Sequence, residues 1–257
     1  MEDLEVNREK FSRQFGLFDP ELYKDRSVTV VGCGGIGSNA AFCLAKMGIS
    51  NLTLIDMDTV ERANLGSQFF TESDIGKQKS EALAEKLKYF CGNELIINPV
   101  VEFANQSMDR ETDILVFALD SIDSRRSVFL SRSGSKSSYL IDARMGSTGA
   151  SFFMMSSEDR PTLASKYIES LNRPVTPLPC AEKAIVFTVF TIAGIIGSGV
   201  RNAILGKKNP FEQFYDMEQM IHIKVVEAES SNIVESLDVS KPRTAKRKTK
   251  RPVRRVD

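Results

Sequence analysis

The stretch from Ser27 to Asp58 constrains this chain more than any other. It reads Ser27-Val28-Thr29-Val30-Val31, then Gly32-Cys33-Gly34-Gly35-Ile36-Gly37, then an apolar-rich run to Gly48, then Leu52-Thr53-Leu54-Ile55-Asp56-Met57-Asp58. The pattern predicts a strand, a glycine turn, a helix and a second strand with an acidic end. Gly32 allows a tight turn, Gly34 lets backbone approach a phosphate, and Gly37 lets the helix pack close to the sheet. The helix start offers unpaired N–H groups to an anion. Asp56 follows Gly37 by nineteen residues, where a carboxylate can take ribose hydroxyls. These features predict a nucleotide site, without naming the nucleotide or its fate.

The rest of the chain extends the same pattern. Residues 59–73 read as a polar loop past the second strand, and residues 74–90 as an amphipathic helix. Leu95–Val101, Asp113–Leu119 and Tyr139–Ala143 read as strands, residues 121–133 as a helix, and Gly149–Met155 as the start of an antiparallel extension. Residues 156–181 carry four prolines and read as a long loop, Ala181–Leu205 as a long apolar helix, and Gln219–Val226 as a last strand. The expected fold class is α/β: a Rossmann-like, mostly parallel sheet with mixed strands at one side and a long C-terminal core helix. Ala184–Val200 holds seventeen uncharged residues, short for a bilayer crossing and rich in glycine, serine and threonine, so it reads as a core helix. The domain is expected to span 1–226, followed by a disordered tail over 227–257.

Charge is unevenly distributed. Residues 241–257 hold nine lysines and arginines against one acid, Asp257, while the whole chain has 34 of each sign, so the body is acidic and the tail basic. A basic run such as Lys246–Arg251 can contact nucleic acid, although it has no aromatic residue to stack on bases. The four cysteines, Cys33, Cys43, Cys91 and Cys180, form no C-x-x-C pair, so no zinc knuckle is expected. That usage and an acidic start without a signal-peptide core fit the cytoplasm. The single histidine, His222, sits between isoleucines in a strand and reads as structural, which disfavours histidine-based chemistry.

Asp56, Asp58, Asp120 and Lys79 are expected at one strand-end edge of the sheet. Carboxylates there can hold a metal or a ribose, and a lysine can neutralise phosphate. The simpler reading of Asp120 is a cap for the following helix. Cys180 precedes the long helix, where a thiol becomes more acidic, but a buried packing role is equally open.

Several motifs together give the chain its resemblance to the ThiF/MoeB/HesA adenylyltransferases, the ubiquitin-activating-enzyme-like superfamily. They are Ser12-Arg13-Gln14, the run from Val30 to Asp58, Asn64-Leu65-Gly66-Ser67-Gln68, Asp74-Ile75-Gly76-Lys77-Gln78-Lys79, Ala118-Leu119-Asp120-Ser121 with Arg125, and Pro179-Cys180. The resemblance implies ATP and magnesium as cofactors. It implies adenylation of a carboxylate, commonly the C-terminal glycine of a ubiquitin-like protein, with release of pyrophosphate. By position, Gly35 approaches the phosphates, Asp56 holds the ribose, and Lys79 and Arg13 stabilise phosphate charge. Asp120 positions magnesium, and Cys180 receives the activated product. Asn64, Ser67, Ser121 and Arg125 fall at the resemblance's nucleotide-contacting positions. Arg13 resembles an arginine that acts in a partner subunit, which implies a homodimer; with Ala184–Val200 read as a core helix, no membrane partner is expected.

The main departure is Ser67, where active relatives have arginine. Leu-x-Ser-Gln-Phe resembles the non-catalytic halves of large eukaryotic enzymes, so a weak nucleotide-binding subunit is one alternative. A relative that activates a carboxylate on a modified tRNA base is another. Arg62 is near enough in sequence to be considered as a substitute for the missing arginine.

Overall fold

The structure is a computed structural model, describing residues 9–19, 22–103, 111–131, 137–173, 185–225 and 234–236. Among the described residues, nine strands form one sheet in the order β3-β2-β1-β4-β5-β6-β7-β8-β9. The strands are β1 Ser27–Val31, β2 Asn51–Ile55, β3 Ile96–Val100, β4 Ile114–Phe117, β5 Tyr139–Gly146, β6 Gly149–Ser156, β7 Glu212–Asp216, β8 Ile221–Val225 and β9 Val234–Ser236. The helices are α1 Gly35–Met47, α2 Lys79–Cys91, α3 Ile122–Leu130, α4 Arg160–Leu171 and α5 Val186–Ile204. The expected α/β class holds. Along the sheet, the pairings from β3 to β5 are parallel, and every pairing from β5 to β9 is antiparallel.

Strand alternation divides the core into two layers. Val28, Val30, Leu52, Leu54, Ile114 and Val116 face α1, α2 and α5. Val31, Ile55, Leu115 and Phe117 face the other way, toward Val128 of α3 and Tyr167 and Leu171 of α4. Pro99 is tolerated in β3 because that strand forms the sheet edge, where a missing N–H costs no ladder bond on the open side.

The long apolar helix α5 is a core element. It packs along α1 and against β5 and β6 through Ile192, Ile196 and Val200. Gly197 permits the α1 contact, since a Cβ there would lie 3.0 Å from Cys43 Sγ. Its composition would also pass for a membrane span, but half of its apolar window is buried inside the protein.

Four local expectations need correction. Residues 160–171, expected in a long loop, form α4. Pro161 sits in its first turn, where proline's missing N–H has no helical partner to lose, and Tyr167 and Leu171 bury its inner face. The helix expected over 74–90 starts at Lys79, after a 3-10 turn at Glu72–Asp74. β7 falls outside the expected strands, and it forms a hairpin with β8 through a turn in which Met220 has φ 56. Within the stretch expected as a disordered tail, Val234–Ser236 pairs with β8 as β9. Cys180 and residues 241–257 lie outside the described residues.

Candidate nucleotide site

The parallel strands β2, β1 and β4 end side by side, and their C-terminal ends carry Asp56, Gly32 and Asp120 respectively. The chain leaves β1 toward β2 on one side and later returns to β4 on the other. This reversal opens a crevice at the strand ends where α/β sheets hold ligands.

The glycine turn is shaped by two close approaches. Gly32 has φ 93, and a Cβ there would lie 2.6 Å from the Ala118 carbonyl oxygen. A Cβ at Gly37 would overlap the Gly32 carbonyl. Both positions therefore exclude any side chain. Helix α1 then starts at Gly35 with Gly34 as its N-cap, and no side chain caps it. Its first N–H groups thus face the crevice without a side-chain partner.

Asp56 braces this turn. Its Oδ2 accepts from the Cys33 N–H at 2.6 Å, and its Oδ1 accepts from the Asp58 N–H at 2.8 Å. Burial pushes its carboxyl above the ordinary range, while those two backbone bonds and the charge of Lys79 pull the other way. Lys79 is only 8% exposed. Its ammonium lies 2.9 Å from Asp58 Oδ2, and its N–H donates to the Asp58 carbonyl at 2.8 Å. Its field reaches both Asp56 and Cys33. Residues twenty or more apart in sequence thus meet because α2 starts where β2 ends.

The loop between them is a folded lobe. Thr59 and Gln78 form an antiparallel bridge at its base. Asn64 Oδ1 accepts from the Glu61 N–H at 2.8 Å and so shapes a 3-10 turn. Ser67 and Gln68 are carried against the glycine turn, with the Gln68 amide nitrogen 4.0 Å from where a Cβ on Gly34 would stand. Arg62 pairs at 2.9 Å with exposed Glu72 on the outside of the lobe.

Beside β4, Ser121 is the N-cap of α3, its Oγ accepting from the Ser124 N–H at 3.3 Å. That cap position is therefore filled, and Asp120 stays exposed at the strand end. Arg125, expected among nucleotide-contacting residues, is instead 3% exposed. Its guanidinium bonds Asp142 and the Leu119 and Ala143 carbonyls, clamping the end of β4 to β5 beneath Asp120. Burial lowers its pKa to about 9.

Arg13 is not brought to this site within one chain. Gln14 bonds the Met47 carbonyl at 2.6 Å, and the Phe11 ring lies under Gly48, so Arg13 sits by the far end of α1. Thirteen helical residues put that end about 20 Å from the glycine turn.

Gln68 lies within the Asn64–Gln68 motif but is not among the expected site residues. Its Oε1 is buried without a hydrogen-bond partner among the described residues. Only folding of the lobe onto α1 shows it at the turn. No group of three or more His, Cys, Asp or Glu able to hold a metal occurs among the described residues. A single carboxylate, Asp120, fits a magnesium ion that takes its other ligands from phosphates and water.

The model of the ThiF family matches residues 11–243. The chain belongs to the ThiF family. The match runs past residue 226, where the domain was expected to end. The chain is 36% identical over 109 residues to the NEDD8-activating enzyme E1 catalytic subunit of Caenorhabditis elegans, covering 41% of this chain and 25% of that protein. It is 37% identical over 101 residues to ubiquitin-like modifier-activating enzyme 5 of Oryza sativa subsp. japonica, covering 39% of this chain and 22% of that one. The chain therefore spans about a quarter of the length of the curated relatives it matches. In fold it resembles E. coli MccB, crystallised with AMPCPP and MccA, with a TM-score of 0.62 and 20% identity over 90% of this chain and 71% of that one. It also resembles E. coli tRNA N6-threonylcarbamoyladenosine dehydratase, TcdA, with a TM-score of 0.61 and 22% identity over 79% of this chain and 96% of that one.

Proposed function

We propose that this ThiF-family chain binds ATP at the glycine turn and adenylates a carboxylate, with the C-terminal glycine of a ubiquitin-like or sulfur-carrier-like protein as the substrate. The observation that carries this reading is Lys79: a largely buried ammonium held beside Asp58 at the same sheet edge as the glycine turn. Hydride transfer at a dinucleotide site makes no comparable demand for a cation. A phosphoryl-transfer site needs one, because neutralising phosphate charge is most of its chemistry.

In this reading the α1 N-terminus receives the phosphates and Asp56 receives the ribose. The substrate carboxylate oxygen attacks the α-phosphorus, the bond to the bridging oxygen breaks, and that oxygen leaves with its electron pair on pyrophosphate. The product is an acyl-adenylate. Lys79 stabilises the negative charge that moves onto the phosphate oxygens. Asp120 would hold magnesium, which supplies further charge neutralisation when bound. Cys180 as acceptor of the activated acyl group is part of the proposal. So is a cytoplasmic location.

Arg13 joins the reading through a second copy of the chain. A two-fold axis across the middle of α1 would carry Arg13 of one copy toward the glycine turn of the other. Near that midpoint lies an aromatic patch: Phe42 stacks on Phe69 at 4.3 Å, with half-exposed Phe90 beside them.

Ser67 supports a second reading, in which the chain binds nucleotide but contributes mainly to a partner's site. The lobe presents serine at that position, and Arg62 is engaged with Glu72 on the outside. ATP–pyrophosphate exchange separates the readings. Exchange that requires a small protein ending in Gly-Gly supports adenylation of that class, and exchange that requires tRNA moves the substrate to a modified base. ATP binding with no exchange for any acceptor favours the second reading.

A further inference from the structure

The geometry points to Asn39 as a positioning residue that sets the Gln68 lobe against the nucleotide's phosphates, an inference that rests on the nucleotide reading above. Asn39 lies in the second turn of α1 and is buried. Its Nδ2 donates to the Gly35 carbonyl at 2.8 Å and to the Ser67 carbonyl at 3.0 Å. Its neighbour Ser38 does the complementary work: Oγ donates to the Gly34 carbonyl at 2.7 Å and accepts from the Phe69 N–H at 3.0 Å.

These two adjacent side chains hold the backbone on both sides of Gln68. The carbonyl before it is bound by Asn39, and the N–H after it is bound by Ser38. Residue type matters here. Two backbone carbonyls need one group with two N–H donors, which an asparagine amide has and an aspartate or leucine lacks. The Gln68 side chain has no comparable anchor, since its Oε1 is buried without a partner among the described residues. Its amide nitrogen nevertheless stands close to Gly34. Its place is therefore set by its backbone, which α1 holds on both sides and which the lobe holds through the Gln68 N–H donating to the Asn64 carbonyl at 2.9 Å. The same turn that would receive the phosphates fixes the amide that would donate to them.

Asn39→Leu in the full-length protein tests this, because leucine keeps the side-chain shape and removes both donors. In the nucleotide-free protein, hydrogen–deuterium exchange over residues 64–69 is expected to accelerate about tenfold while α1 stays protected. AMPCPP is expected to bind about tenfold more weakly, with adenosine affinity unchanged. In a Gln68→Ala background the same substitution is expected to add nothing, since its effect passes through Gln68. Ser38→Ala provides a second variant with the same expected selectivity, should Asn39→Leu fold poorly. Equal weakening of AMPCPP and adenosine, or a full additional loss in the Gln68→Ala background, overturns the positioning role. Wild-type protein that binds neither ligand overturns the nucleotide reading and this inference with it. Wild-type binding with unaltered selectivity in both variants overturns this inference alone.

Discussion

Asp56 Oδ2 accepts a hydrogen bond from the Cys33 N–H at 2.6 Å, across the junction of β2 and the glycine turn. The bond makes one carboxylate serve the fold as well as any ligand. It fixes the turn's second residue and leaves Asp56 at the mouth of the crevice, beside Asp58 and Lys79.

A dependence on pH follows from that bond's surroundings. Burial is the largest influence on Asp56 and raises its pKa above the ordinary 3.8, against the pull of the Cys33 and Asp58 N–H groups and Lys79. The folded protein therefore holds this proton more firmly than the unfolded chain does. The resulting stability is complete below 3.8 and is lost as pH rises through the raised value. Asp56→Asn removes the contribution, so its stability is expected to fall less than wild type's from acid to neutral pH. Urea unfolding of both proteins across that range measures the difference, and parallel curves would count against it.

Lys79→Ala is expected to reduce ATP–pyrophosphate exchange by about 10²–10³-fold, the usual scale for losing one preorganised charge-stabilising group. The fold should survive, because Asp58, left without its partner, is exposed and can be solvated. Unchanged exchange in a folded variant would remove Lys79 from the chemistry.

Gly37→Ala should destabilise the protein by about 2 kcal/mol or more, since the new methyl overlaps the Gly32 carbonyl and the turn must open. Thermal unfolding gives the stability change. Nucleotide binding should fall in the remaining folded fraction, because the displaced strand end carries the glycine turn proposed to receive the phosphates.

Arg13→Ala and Lys79→Ala are each expected to lose exchange when prepared alone. Mixed and allowed to re-associate, they should recover about a quarter of wild-type activity, since a mixed dimer has one site with both groups intact. No recovery in a mixture shown to form mixed dimers would place Arg13 outside the partner's site.

Much of the architecture is legible in the amino-acid sequence. The glycine turn, the apolar runs of β1, β2 and β4 and the amphipathic α2 carry local signals strong enough to give their type and order. Where local signals conflict, sequence and structure part. Pro161 resembles a loop residue because proline breaks helix interiors, yet it stands in the first turn of α4, where it is tolerated. β7 has a mixed pattern, Glu212-Gln213-Phe214-Tyr215-Asp216, because it lies in the antiparallel extension, and only pairing with β6 and β8 reveals it. At the site, Asp56, Asp58 and Lys79 can be assigned to one edge because strand ends and helix starts alternate there. Arg125 cannot be placed this way. Its spacing from Asp120 matches a nucleotide-contacting position, but its guanidinium turns inward to Asp142.

The sequence by itself determined the parallel unit, the glycine turn and the acidic strand ends, because these depend on backbone sterics and on periodicities of two and 3.6 residues. Tertiary structure decided which side chains face one another. It took the folded lobe to bring Gln68 to Gly34, and α1 to hold Ser67 and Phe69 through Asn39 and Ser38. It took the placement of 9–14 at the far end of α1 to separate Arg13 from its own turn. Those relationships rest on contacts between residues distant in sequence, and such contacts leave no periodic mark on the chain.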